Sequence, residues 1–110
     1  FSLFSSYPNN GYFSLKPKHQ KHKTFTFTTS SSSAETALDI VANFEEVNKI
    51  SFVVELGDAY VAFDEDATTT TMLIPQAEGY SDSGIYAVDK LSVIRGSSTN
   101  VRVRGIAWGR

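Results

Sequence analysis

The chain has 110 residues, of which 41% are apolar and 20% charged, and its formal net charge is −2. That length allows one domain, and the absence of cysteine excludes disulfide scaffolds, thiolate zinc sites and cysteine nucleophiles. No apolar run approaches the roughly 20 residues that a helix needs to cross a bilayer.

Residues 1–34 differ from the rest of the chain in charge and composition. They hold four lysines and no acid, a net charge of +4, whereas residues 35–110 hold six basic and twelve acidic residues, a net charge of −6. Turn and linker signals at Pro8–Gly11 and Ser30–Ser33 accompany seven aromatics. Because disordered segments are poor in aromatics, we expect an extended arm that orders against a partner or against its own oligomer. Its expected contact residues are Phe1, Phe4, Tyr7, Tyr12, Phe13, Lys16, Lys18, Lys21 and Lys23.

Two other interpretations of residues 1–34 stay open. A composition rich in Ser and Thr and free of acids is typical of an organellar transit peptide, although arginine, which such peptides contain, is absent here. The lysines of 16–23, with His19 and His22 between them, could also bind nucleic acid, or form an ordinary solvated loop. The chain starts at Phe1 without a methionine, which is typical of a processed or truncated protein.

Alternating apolar residues predict the first strands. Phe25 and Phe27 alternate with threonines, which indicates one short strand near the end of the arm. Over residues 38–45 every second residue is apolar, and we predict a strand there. A helix capping pattern at Ser32–Glu35 is the competing signal, but no helix is expected in the chain.

The strongest strand signal is Ile50–Leu56, which is dense in β-branched and aromatic residues. Gly57 and Asp58 follow it and precede a second such run, Ala59–Phe63. A Gly-Asp pair at this position predicts a two-residue hairpin, with the glycine at the positive φ of a type II′ turn. Further strands are predicted over Thr68–Pro75, Ile85–Val88, Leu91–Arg95 and Val101–Trp108, with a loop over Gln76–Gly84.

Short strands with turn signals every 8–12 residues indicate an all-β protein. We predict a small antiparallel β-sandwich, jelly-roll-like, over residues 35–110, preceded by the extended N-terminal arm over residues 1–34. A β domain of this size buries a small share of its surface and is marginal alone, so we expect it to oligomerise or to dock on a partner.

Residues suited to catalysis or cofactor binding are sparse. Both histidines lie in the basic arm, and the chain lacks a Gly-x-Ser-x-Gly elbow and a glycine-rich phosphate loop. Asp58 and the acidic run Asp64–Asp66 could supply oxygen ligands to calcium, but their spacing is not that of an EF-hand, and a solvated acidic loop has the same composition. We expect a protein that is not an enzyme and has no metal or cofactor.

Two sets of side chains could bind other ligands. Two arginines on one strand face, together with two others, could form a basic stripe for an anionic partner, or a solvated sheet face. Aromatic side chains could stack on sugar rings, as in lectin-like sandwiches, which makes a carbohydrate-binding module an alternative function; such side chains are also common in cores. The first set is Arg95, Arg102, Arg104 and Arg110, and the second is Tyr60, Tyr80 and Trp108.

Six short sequence segments follow one another in a recognisable order. They are an opening strand rich in Thr and Ala, a V-x-F segment, a threonine loop, an L-I-P segment, an L-S-V-I-R strand and a closing V-R-V strand. They are Thr36–Ile40, Val61–Phe63, Asp66–Thr71, Leu73–Pro75, Leu91–Thr99 and Val101–Gly109. In this order the stretch Thr36–Arg110 resembles small virion proteins of tailed bacteriophages.

The resemblance implies a β-sandwich with a structural task in the virion. We expect a capsid decoration or cement protein, or a minor capsid protein, that contacts the major capsid protein or other virion proteins. A neck, tail or fibre-base protein is the alternative. A homo-oligomer is expected, with a trimer as the first guess, and neither a membrane nor nucleic acid is an expected partner.

Overall fold

The structure is a computed structural model that describes residues 20–96 and 100–110. Over these residues the chain forms eight strands and one short helix. The elements are β1 (Lys21–Thr29), β2 (Glu35–Asp39), α1 (Ile40–Asn43), β3 (Val47–Leu56), β4 (Ala59–Phe63), β5 (Met72–Ile74), β6 (Gly79–Asp82), β7 (Lys90–Arg95) and β8 (Val101–Gly109).

The strands form two antiparallel four-stranded sheets. The first sheet has the order β1-β8-β3-β6 and the second has the order β2-β7-β4-β5. Of the connections between successive strands, only the one from β4 to β5 stays within a sheet; the others cross to the facing sheet. This is the wrapping of a jelly roll, and it confirms the small antiparallel sandwich predicted from the sequence.

The core lies between the two sheets, where alternate residues of each strand face inward. Four aromatic rings form a continuous row through it. Ring centroids are 6.5 Å apart for Phe25 and Phe52, 5.8 Å for Phe52 and Tyr80, and 6.0 Å for Tyr80 and Phe63. Because β1, β3, β6 and β4 each supply one ring, the row joins both sheets through tilted aromatic contacts.

β1 belongs to the first sheet along its whole length. It pairs with β8 without a register shift, from Lys21 opposite Gly109 to Thr29 opposite Val101. The strand predicted around Phe25 is therefore confirmed and is longer than expected. The sandwich was predicted to begin at residue 35, but its first strand, β1, lies before that residue. Residues 1–19, which hold most of the predicted arm, lie outside the described residues.

The strand predicted over residues 38–45 ends at Asp39 and is followed by the single turn of α1. The Asp39 carboxylate accepts a hydrogen bond from the backbone N–H of Ala42 at 3.1 Å, which caps this turn. The backbone N–H groups of Ile40 and Val41 both donate to the Asp89 carbonyl. These local hydrogen bonds stabilise a helical turn in place of a longer strand. The prediction of a continuous strand and no helix was therefore wrong here.

The prediction of a hairpin at Gly57-Asp58 was also wrong. β3 is flanked by β8 and β6 in the first sheet, whereas β4 is flanked by β7 and β5 in the second, so the two strands do not pair. Gly57 does have a positive φ, +68°. The Gln76 side chain accepts from the Gly57 N–H, and the Asp58 carboxylate accepts from the Gln76 N–H, each at 3.0 Å. The turn thus crosses the end of the sandwich.

Strand boundaries between residues 64 and 89 also differ from the predictions. Only the end of Thr68–Pro75 is a strand, and Ile85–Val88 contributes a single bridge, from Ala87 to Val47. Gln76–Gly84, predicted as a loop, contains β6, which has a polar sequence and is ordered by pairing with β3. The predicted strands Leu91–Arg95 and Val101–Trp108 are confirmed as β7 and β8.

Candidate interaction surfaces

Most of the predicted contact residues lie outside the part of the chain that the structure describes. These are Phe1, Phe4, Tyr7, Tyr12, Phe13, Lys16 and Lys18. The other two, Lys21 and Lys23, are exposed at the start of β1, where they lie opposite Gly109 and Ala107. They therefore sit on the sandwich itself, at the end where the chain enters β1.

That end of the sandwich is built from α1, the turn after β4 and the segment before β7. The segment before β7 contacts both of the others: the Asp89 carbonyl accepts from α1, and the Lys90 carbonyl accepts from the Asp64 N–H at 2.8 Å. Ala87 and Val47 exchange two backbone hydrogen bonds, at 2.7 and 3.0 Å. Three chain segments are thereby held together by main-chain hydrogen bonds.

Asp64 is the side chain that joins two of these segments. It has a φ of +60°, in the left-handed region that aspartate tolerates better than most residues. Its carboxylate accepts backbone N–H bonds from Val88 at 3.0 Å, Asp89 at 2.7 Å and Lys90 at 3.2 Å. A carboxylate with three backbone donors fixes the path of the segment before β7.

The surface of this end combines exposed carboxylates with exposed apolar side chains, and we call it the acidic end. Val41 is 66% exposed, Tyr86 69% and Val88 37%. Sequence patterning missed these three, because it assigned them to strands. The exposed carboxylates of the acidic end are Asp39, Glu45, Asp64, Glu65, Asp66 and Asp89.

Part of this negative charge is neutralised locally. The Lys90 ammonium lies 2.6 Å from Asp66, and this hydrogen bond raises the pKa of Lys90 above its usual value. Arg110 lies 2.8 Å from Glu46, which likewise raises the pKa of the Arg110 guanidinium. The acidic end nevertheless keeps an excess of carboxylates.

The calcium interpretation is not supported by the positions of the acids. Asp58 lies before β4 and bonds to Gln76, whereas Asp64 lies after β4 and bonds to the segment before β7. In residues 20–96 and 100–110 no group of three or more acidic or histidine side chains could hold a metal ion.

Of the four arginines of the predicted stripe, Arg102 and Arg104 share one carboxylate, whereas Arg95 lies on β7 in the second sheet and Arg110 pairs with Glu46. Glu55 accepts from Arg102 Nε at 2.7 Å and from Arg104 Nε at 2.8 Å, on the outer face of the first sheet. The hydrogen bond from Arg102, followed by that from Arg104, holds the pKa of Glu55 below its usual value against the opposing effect of burial. The positive charge of Arg102 and Arg104 is thus partly neutralised by Glu55, and this face is not a row of free cations.

The three aromatics considered for sugar binding do not share a surface. Trp108 lies on the outer face of the first sheet, with Lys49 Nζ 4.6 Å from its ring centroid. Tyr60 packs beside Ile94 in a small second cluster on the outer face of the second sheet. Tyr80 packs against the core, and its hydroxyl donates to Asp82 at 2.9 Å. A stacking platform built from all three is not formed.

The described residues form no pocket. Their single short helix is far from the length needed to span a membrane. No protein-family model matches the chain, and no curated protein matches it significantly. The surfaces described above are therefore the basis for a functional proposal.

Proposed function

We propose that this protein is a non-enzymatic virion structural protein that binds and stabilises the capsid shell of a tailed bacteriophage. A decoration or cement protein, or a minor capsid protein, is the specific role proposed. The resemblance of Thr36–Arg110 to such proteins supports this, and so does the jelly roll, which viral capsid domains share with lectins and cupins. Because a fold alone does not assign a function, a surface feature must carry the proposal.

The exposed apolar side chains of the acidic end are that feature. Isolated apolar residues are normal on a protein surface, but adjacent ones with a polar rim are typical of protein contacts. The Val41 N–H donates to the Asp89 carbonyl at 3.2 Å, and Val88 directly precedes Asp89, so the backbones of Val41 and Val88 lie close to each other. A preorganised apolar surface of this kind suits a protein partner better than a small molecule.

The proposed mechanism is thermodynamic. A protein that binds the assembled shell but not its free subunits stabilises the particle by mass action. The aromatics of residues 1–19 are the proposed anchors, since buried aromatics dominate interface energies. The lysines of 16–23 would meet acidic surface of the shell. The major capsid protein is the proposed partner.

Quantitative mass spectrometry of salt-washed particles tests the proposal directly. Copy numbers close to that of the major capsid protein would support a role across the whole shell. A small number of copies per particle would instead indicate a vertex, neck, tail or fibre-base position. Absence of the chain from particles would overturn the virion proposal.

Shell binding by variants tests which surfaces are used. Replacing Val41 by Ser should weaken binding at least tenfold, because it removes an apolar contact from the acidic end. Leu73→Ser is the matched control, since Leu73 is 48% exposed on β5, away from this end. Equal binding by the two variants would exclude the acidic end as the contact.

Removal of residues 1–19 tests the arm. We expect this deletion to abolish shell binding while β1, including Lys21 and Lys23, stays paired with β8. Retained binding would exclude the arm as the anchor.

A further inference from the structure

The free edge of β1 is the longest hydrogen-bonding surface without a strand beside it in the described part of the chain. Among the described strands of the first sheet, β1 is the outermost, and it has nine residues. Its register with β8 has no bulge, and it contains neither Pro nor Gly. Natural edge strands are protected from pairing by bulges, prolines, short length or charges. β1 has charges only at its start, in residues 21–23, while residues 24–29 are uncharged.

The hydrogen bonds of β3 show which of its residues direct their backbone groups towards β8 and which direct them towards β6. The Val54 N–H donates to the Glu78 carbonyl, and the Val54 carbonyl accepts from Ala77, on the side away from β8. Backbone groups alternate in direction along an antiparallel strand. Val53 therefore bonds towards β8, where its partner is Arg104.

The same alternation continues through β8 into β1. Because Arg104 bonds to β3, its neighbour Gly105 bonds to β1, where the residue opposite is Phe25. Odd-numbered residues of β1 thus bond to β8, and even-numbered residues direct both backbone groups to the free edge. These four residues are His22, Thr24, Thr26 and Thr28, which offer eight groups, one N–H and one carbonyl each.

We propose that β1 pairs antiparallel with β1 of a second copy of this chain, about a two-fold axis at Phe25. This register places His22 opposite Thr28 of the partner subunit and Thr24 opposite Thr26 of the partner subunit. All eight groups of each copy are then used, in eight hydrogen bonds. The two first sheets become one continuous sheet of eight strands.

The charges at the ends of β1 select this antiparallel arrangement. Lys21 comes to lie opposite Thr29 of the partner subunit. Within each copy the Thr29 hydroxyl donates to the Glu35 carboxylate at 2.6 Å. Each Lys21 ammonium therefore lies beside Glu35 of the partner subunit, which gives two symmetric ion pairs. A parallel pairing would instead place the lysines of both copies side by side.

The side chains of the free-edge residues also suit the pairing. Thr24, Thr26 and Thr28 are exposed on the outer face of the first sheet. β-branched residues favour strand pairing, and threonines facing each other across strands can exchange hydroxyl hydrogen bonds. The contact uses the same surface on both copies, so it closes at two. It therefore gives a dimer and not the trimer expected from the sequence.

Sedimentation of the purified full chain over a range of concentrations tests the proposal, without any particle. We expect a dimer that dissociates on dilution. Thr26→Pro should weaken the dimer at least tenfold, because it removes a free-edge N–H without touching a bond to β8, and edge strands accept proline at such positions. Thr26→Val keeps the N–H and should leave the dimer intact. Equal dimerisation by the proline variant, shown folded by circular dichroism, would overturn the proposal.

A charge swap tests the register. Lys21→Glu and Glu35→Lys should each weaken the dimer by about 3–10-fold, as expected for two exposed ion pairs lost per dimer. Combining them should restore most of the affinity, since each pair is rebuilt with its signs exchanged. Additive losses in the double variant would exclude the antiparallel register.

A variant that begins at Gln20 separates this contact from one made by residues 1–19. A retained dimer supports pairing through β1. A dimer that is lost on this truncation would overturn the proposal and assign self-association to residues 1–19. Because these measurements need no shell, their outcome is independent of the proposed virion function.

Discussion

Asp64 is the residue whose side chain most clearly organises the acidic end. Its carboxylate accepts three backbone N–H bonds from Val88, Asp89 and Lys90, and its φ is +60°. Asp64→Ala removes the acceptor and leaves alanine in the left-handed region. We expect it to lower the free energy of unfolding by about 1–3 kcal/mol, measured by urea denaturation.

Two further substitutions at Asp64 separate the causes of that loss. Asp64→Gly removes the carboxylate but accepts a positive φ, so it should be less destabilising than Asp64→Ala. Asp64→Asn tolerates the same φ and retains a carbonyl acceptor, and should be the mildest of the three. If alanine were as stable as aspartate, the carboxylate would have no organising role.

We expect Asp82 to make the free energy of unfolding depend on pH in the acid range. Its carboxylate accepts from the Gly84 N–H at 2.8 Å and from the Tyr80 hydroxyl at 2.9 Å, and these bonds hold its pKa below the usual value. A carboxyl with a lowered pKa stabilises the fold above its ordinary pKa, and this stabilisation is lost as the pH falls through the folded-state pKa. Between about pH 5 and pH 2, the free energy of unfolding measured with urea should therefore fall less steeply for Asp82→Asn than for the wild type.

At the scale of elements, the turn from β3 to β4 requires glycine. Gly57 has a φ of +68°, and a Cβ there would collide with the carbonyl oxygen of Asn100. We expect Gly57→Ala to lower the free energy of unfolding by at least about 2 kcal/mol, since both backbone strain and the collision oppose it. Gly84→Ala is the matched control, because the nearest atom to its Cβ would be 3.6 Å away, and it should change stability by less than about 0.5 kcal/mol.

The same turn shows what sequence pattern can and cannot predict. Alternation and β-branched content identified β3, β4, β7 and β8. Buried residues recur at alternate positions in β8, whereas β7 is buried over four consecutive residues. A pattern says which face of a strand is buried, but not which strand lies beside it. Gly57-Asp58 was therefore predicted to be a hairpin although it crosses between sheets. β6, with the sequence Gly-Tyr-Ser-Asp, has no run of apolar residues and is ordered by its pairing with β3 and by the packing of Tyr80 against the core.

At the scale of the whole molecule, the candidate surfaces depend on contacts that the sequence does not display. Val41, Tyr86 and Val88 meet at the acidic end only because the segment before β7 bonds to α1 through the Asp89 carbonyl and to the turn after β4 through the Lys90 carbonyl. The uneven distribution of charge along the chain, with lysines concentrated before residue 24, is visible in the sequence itself. The free edge of β1 is a property of sheet order, which no local pattern encodes.

Truncation tests how the molecule is divided. All eight described strands lie after residue 19, so a chain that begins at Gln20 should keep a cooperative urea transition with an unchanged slope. A chain that begins at Glu35 lacks β1. It would expose the backbone edge of β8 and remove Phe25 from the aromatic row, and we expect it to lose the cooperative transition. A folded, cooperative chain from Glu35 would mean that β1 is dispensable and that the basic segment is an appendage up to residue 34.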